Sequence, residues 1–126
     1  TKENVFYPLI DYELKDDIKD SYGKVLYKKG FVFNPLHYIS LNEKYIFIDY
    51  TDKKQREWIK KQEINKDITA KIIITNGRVF DAIKEFEREV FYANDILIDK
   101  FKLEAVPSIV EQEQDRIKVK QFKLKD

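Results

Sequence analysis

Residues 45–77, YIFIDYTDKKQREWIKKQEINKDITAKIIITNG, decide the fold. Tyr45-Ile46-Phe47-Ile48 is an unbroken apolar run, the pattern of a strand buried on both faces rather than one alternating between core and water. Thr51 or Asp52 supplies the side-chain oxygen that starts a helix, because it can accept one of the first unpaired amide protons. That helix runs through Gln62 and turns Trp58 and Ile59 inward from an otherwise charged surface. A second buried run, Ala70 to Ile74, ends in the loop signal Thr75-Asn76-Gly77. Strand, helix, strand in this order predicts parallel pairing with a right-handed crossover.

Outward toward the C-terminus, Val79, Phe80, Ile83 and Phe86 follow the i, i+1, i+4, i+7 spacing of an amphipathic helix with those four side chains inward. Val90-Phe91-Tyr92 reads as a short strand, Asn94-Asp95 as a turn and Ile96 to Phe101 as a brief helix. Val106-Pro107-Ser108-Ile109-Val110 opens a strand at a proline, and Gln112 to Asp115 is a polar turn. Arg116 to Lys120 alternates Ile117 and Val119 with lysines, which suits a sheet edge because charge discourages further pairing.

Outward toward the N-terminus, residues 1–44 read as a β-rich lead-in to the α/β domain at 45–126. Tyr12, Leu14 and Ile18 fall at even positions among charges, the period of a half-buried strand. Ser21-Tyr22-Gly23 turns the chain into Lys24 to Tyr27, and Lys28-Lys29-Gly30 reverses it again before Phe31-Val32-Phe33. Asn34-Pro35 ends that strand, since Pro35 has no amide proton for a ladder.

With 126 residues and 43% hydrophobic content, the chain has enough apolar material for one core. A charged fraction of 37% beside 14% aromatics indicates a solvated exterior rather than disorder. No segment approaches the roughly 20 apolar residues of a membrane span. Lys and Arg total 24 against 23 Asp and Glu, so bulk charge leaves no nucleic-acid footprint. The absence of cysteine excludes thiol redox chemistry, disulfides and thiolate metal sites, and one histidine makes a poor start for a transition-metal site. No cofactor or small-molecule substrate is expected. There is no methionine, even at position 1, so the chain is expected to be a processed or trimmed product.

Asp49 and Asp52 are near enough in sequence for a carboxylate pair, and with His37 they define a hydrolytic alternative. No EF-hand loop surrounds them, and His37 has only Ser40 nearby as a nucleophile, so strand-end, helix-cap and loop roles are the expectation. Trp58 beside Ile59 reads as core. Gln55 is open between a partner contact and a solvated helix face. The lysine pairs at 28–29, 53–54 and 60–61 are interleaved with acids and read as solvated faces. The basic tail from Lys118 to Lys125 reads as a frayed terminus.

The order of a βαβ unit, a helix, then a Val-Pro-opened strand and its hairpin partner resembles a thioredoxin-like domain. A more specific series runs Gly23-Lys24-Val25-Leu26-Tyr27-Lys28-Lys29-Gly30, Asn34-Pro35-Leu36, Ile46-Phe47-Ile48-Asp49, Gln55 and Trp58. It continues through Lys71 to Gly77, Val90-Phe91-Tyr92, Phe101-Lys102-Leu103 and Val106 to Val110. Together, across residues 11–120, these motifs resemble the TraW family of pilus-assembly proteins from F-type conjugative type IV secretion systems. Phe91 to Asp95 departs from that family's usual Tyr-Phe-Asp-Gln, and Ser108 replaces its alanine.

That resemblance implies a periplasmic scaffold factor for pilus biogenesis that acts by protein contact, with a TrbC-like protein as its foremost partner. It also implies that the chain is the C-terminal part of a longer one whose signal sequence is not present. Neither nucleic acid nor membrane insertion enters the implied role. On the thioredoxin-like comparison, Tyr50 to Gln55 occupies the place of a Cys-x-x-Cys, so the scaffold is redox-dead. Pro107 corresponds to a proline that is cis, and the Val106-Pro107 bond is expected to be cis. Gln55, Pro107 and Tyr92 are the partner-contact candidates; Pro107, Trp58, Asn34, Pro35 and Gly77 are assigned structural roles.

Overall fold

A computed structural model describes residues 2–38, 40–62 and 64–124. The strands, in chain order, are β1 (Lys2–Phe6), β2 (Tyr12–Glu13), β3 (Ile18–Lys19), β4 (Val25–Tyr27), β5 (Val32–Phe33), β6 (Lys44–Asp49), β7 (Ala70–Asn76), β8 (Val90–Tyr92), β9 (Ser108–Glu113) and β10 (Arg116–Lys123). Among the described residues three α-helices intervene: α1 (Lys53–Lys61), α2 (Val79–Phe86) and α3 (Asp95–Lys100). A mixed sheet in the order β1-β10-β9-β6-β7-β8 carries the fold, and β2/β5 and β3/β4 form two small antiparallel pairs beside it.

The run at 45–48 behaves as its composition requires. Ile46, Phe47 and Ile48 are all buried; Ile46 and Ile48 face one apolar cluster while Phe47 faces the other. Period-2 alternation thus feeds two cores from one strand. The first core lies under α1 and α2 and gathers Trp58, Ile59, Ile72, Ile74, Ala82 and Phe86. The second joins Ile73, Phe101, Val110, Ile117 and Val119, with Phe6, Ile10 and Leu36 packed against it. Each such side chain contributes about 1.5–3 kcal/mol by leaving water, which is what holds the central strands. β6 pairs β7 in parallel and β7 pairs β8 in parallel, with β9 antiparallel to β6, so α1 and α2 cover the same face.

Several expectations are corrected. Phe80 and Ile83 do not face inward: Phe80 is 60% exposed and Ile83 38%, whereas Val79, Ala82 and Phe86 meet the sheet. At about 100° per residue these last three share a narrow arc, Ile83 falls on its rim and Phe80 well outside it. The stretch from Tyr12 to Lys19 is two strands, not one, because Leu14 turns into the interior and bonds to Phe31. Asn94-Asp95 is not a free turn, since α3 begins at Asp95.

The lysine-lined β10 is not an edge. β1 covers it along five register pairs, from Lys2↔Lys123 to Phe6↔Val119, and the strand continues through Lys123 instead of fraying at 118. Its lysines are matched across the sheet, Lys118 reaching Glu113 at 3.1 Å and Lys120 reaching Glu111 at 3.7 Å. Sequence analysis also missed β1 itself, whose five residues join the main sheet.

Candidate docking groove

The end of β6 and the start of α1 are built by short polar side chains. Asp52 caps the helix by accepting the Lys54 N–H at 2.9 Å, and Asp49 Oδ1 accepts from the Thr51 N–H at 2.9 Å and its hydroxyl at 2.6 Å. Both carboxylates therefore do strand-end and cap work. Gln55 is buried, not on a solvated face: its Oε1 accepts the Asp49 N–H at 2.8 Å and its Nε2 donates to Asp52 Oδ2 at 3.1 Å.

Facing this corner is the segment from Glu104 to Pro107. Gln121 Oε1, projecting from β10, accepts the N–H groups of Glu104 at 3.0 Å and Ala105 at 3.1 Å. Ser108 Oγ donates to the Ala105 carbonyl at 2.5 Å, and the Phe122 N–H donates to the Pro107 carbonyl at 3.0 Å. The Val106-Pro107 bond is cis, as the sequence comparison expected. Among the described residues, the Val106 N–H and C=O have no hydrogen-bond partner.

Between these two walls lies a cleft of about 650 Å³, lined by Gln55, Val106, Pro107, Gln121, Phe122 and Leu124, with Glu3 and Asn4 of β1 at one side. Trp58 supports its floor from below, its ring 5.0 Å from that of Phe122. Asp52, Glu3, Lys54 and Lys123 give the lining both signs of charge. Such a lining offers amide hydrogen bonds, apolar contact and an unpaired backbone, which is chemistry for holding a chain.

The structure thus brings Gln55 and Pro107 together and leaves Tyr92 elsewhere. Tyr92 lies on β8, the sheet edge opposite β1, where its hydroxyl donates to the Gly77 carbonyl. Gly77 adopts φ +104°, and an added Cβ would meet Tyr50 Cβ at 3.0 Å. Asn34 caps the 3-10 turn Pro35–His37 through the Leu36 N–H and also donates to the Asp115 carbonyl at 2.7 Å, so the lead-in is pinned to the β9–β10 turn. His37 lies at that same turn, 3.4 Å from Asp115. The register of β9 on β6 puts this turn at the opposite end of the sheet from Asp49 and Asp52, so the three residues of the hydrolytic alternative do not converge.

Sequence analysis missed Val106 and Gln121. For Gln121 a signal existed: it follows Ile117 and Val119 at period 2, a polar residue in an inward-facing register. A second missed cluster joins the helices. Glu85 on α2 accepts from Tyr50 at 2.7 Å and pairs with Lys60 at 2.7 Å and Arg56 at 3.5 Å, both on α1. Burial works to raise the Glu85 pKa, but the Lys60 and Tyr50 hydrogen bonds and the nearby cations outweigh it and hold the carboxyl below its ordinary range.

Among the described residues no helix is long and apolar enough to cross a membrane. Among curated proteins, the chain is similar to Protein TraW of Escherichia coli (strain K12), at 32% identity over 98 residues. The match covers 77% of this chain and 46% of that protein, so the chain spans about half the length of that relative. No family model matches the chain, and no solved structure matches it.

Proposed function

We propose, from the premise that similarity to Protein TraW supports TraW family membership, that this chain serves conjugative transfer as a non-enzymatic assembly factor. In this reading it acts in the periplasm during biogenesis of the pilus of an F-type type IV secretion system, with a TrbC-like protein as its foremost partner. Its scaffold is thioredoxin-like and redox-dead. What supports that scaffold is the topology: β6-α1-β7 parallel, then β9 antiparallel to β6 and β10 antiparallel to β9, with Tyr50 to Gln55 free of cysteine.

The observation that carries the mechanism is the cleft in which Gln55 and Pro107 meet beside the unpaired Val106 backbone. An extended segment of a partner would satisfy that backbone and lay its apolar side chains on Phe122 and Leu124. Tyr92 and the β8 edge are a separate place for contact, with Phe91 and Tyr92 both part-exposed.

Affinity capture from envelopes of mating-competent donor cells tests the proposal, with the native chain and a Val106→Arg variant as baits. Recovery of the TrbC-like protein by the native chain and its loss from the variant are expected, along with absent pili in a deletion strain. No transfer protein on the native bait, together with normal pili in the deletion strain, would refute it.

A further inference from the structure

The lead-in carries a second surface that the groove does not use. Leu14 is the only buried side chain among the described residues 11–38, and it keeps 9% of its surface exposed. Around it stand rings in mutual contact: Tyr12 and Phe33 at 5.7 Å between centroids, Phe31 and Phe33 at 5.9 Å, Tyr27 and Phe31 at 5.3 Å, Phe33 and Tyr38 at 5.6 Å. They border an open surface cavity of about 200 Å³, walled by Leu14, Ile18, Tyr27, Phe31, Phe33 and Tyr38, with room for one large side chain. Two-stranded pairs as short as β2/β5 and β3/β4 gain little from their own burial, so an apolar cover stabilises them.

A knob of matching size lies on the same hairpin. Tyr22, at the tip between β3 and β4, is 95% exposed. The tip is ordered: Asp20 Oδ1 accepts the N–H groups of both Tyr22 and Lys24 at 2.9 Å, and Gly23 supplies φ +86°. Ile18 and Tyr27, the register pair at the hairpin base, are walls of the cavity. Knob and cavity are thus separated by about four residues, on the order of 13 Å along a strand.

We infer that this hairpin is a two-fold self-association surface, in which Tyr22 of each copy enters the cavity of a second copy of this chain. Antiparallel juxtaposition of two hairpins lays each tip over the other's base, as an isologous interface requires. Charge favours this occupant. Residues 11–29 interleave five acids with five lysines, so the segment carries no net charge and two copies meet without net repulsion, each sign able to find its opposite. With one ring seated per copy and only a short hairpin in contact, the pair belongs at the small end of specific interfaces and is a reversible dimer.

Sedimentation equilibrium of the 126-residue chain over roughly 1–300 µM tests this, a range that brackets micromolar association. The weight-average mass should rise from 15.2 kDa toward twice that value. Tyr22→Ser and Ile18→Asp should each weaken association at least tenfold. Fluorescence of Trp58, in the core under α1 and α2, reports that both variants stay folded. Because the chain has no cysteine, a mixture of Tyr22→Cys and Ile18→Cys variants should form the mixed disulfide faster than either variant forms its own. A monomer at every concentration, including one whose patch is covered by a different protein, overturns the inference. So does a dimer that both substitutions leave intact, or self-disulfides that form as fast as the mixed one.

Discussion

Gln55 Oε1 accepts the Asp49 N–H at 2.8 Å, tying the first turn of α1 to the last residue of β6. Since Gln55 is buried, removing its amide leaves a donor that water reaches poorly. Gln55→Leu keeps the volume and deletes the bond. It should destabilise the fold by about 1–2 kcal/mol, read as a lower urea midpoint by Trp58 fluorescence. An unchanged midpoint would mean that Gln55 matters only to a bound partner.

Gly77 tests backbone geometry. Its φ of +104° strains any L side chain, and the added Cβ would meet Tyr50 Cβ at 3.0 Å and Cδ2 at 3.1 Å. Tyr50 is poorly placed to yield, because Glu85 accepts its hydroxyl proton and Arg56 stacks on its ring. Gly77→Ala should therefore lower stability by roughly 1–3 kcal/mol, measured by thermal or urea unfolding.

The central fold was legible because burial on both faces leaves a strong local mark: 45–48 and 70–74 could be read without their partners. Asp52 as cap and Gly77 as turn were legible for the same reason, each being chosen by local backbone need. Long-range facts left weaker traces. That β1 would cover β10 depends on pairing across more than a hundred residues, whereas the lysines of β10 meet acids of β9 five and nine residues away across one hairpin turn. Phe80 misled because spacing fixes an apolar arc but not its centre; Ala82, small enough for close approach, set it. The groove was half legible. Gln55 and Pro107 were named, while the Val106 backbone carries no side-chain signal at all.

Gln121 links stability to docking. It holds the Glu104 and Ala105 N–H groups, and with them the loop that forms one wall of the cleft. Gln121→Leu should cost about 1–3 kcal/mol by stranding those two donors. It should also reduce capture of a partner more than Gly77→Ala does, since Gly77 is not among the groove-lining residues. Equal losses from the two variants would trace the effect to general instability.

Glu85 gives the pH signature. Burial opposes its ionised form, yet the Lys60 and Tyr50 hydrogen bonds and the Lys60 and Arg56 charges keep its pKa below the ordinary 4.5. The unfolded chain then binds that proton more readily than the folded one, so ionised Glu85 adds stability above pH 4.5 that disappears as pH falls below that value. Its side chain is 26% exposed, so solvent screens the pairing and the benefit at neutral pH is about 1 kcal/mol. Glu85→Gln should show that deficit at pH 7 and converge on the native stability as pH falls through the lowered pKa of the native carboxyl. Lys60→Met, which removes the closest cation, should shrink the pH-dependent gap while Tyr50→Phe shrinks it less, because a charged partner outweighs a neutral donor. A gap that stays constant from pH 7 to pH 3 would assign the loss to packing between α1 and α2 instead of to the charge on Glu85.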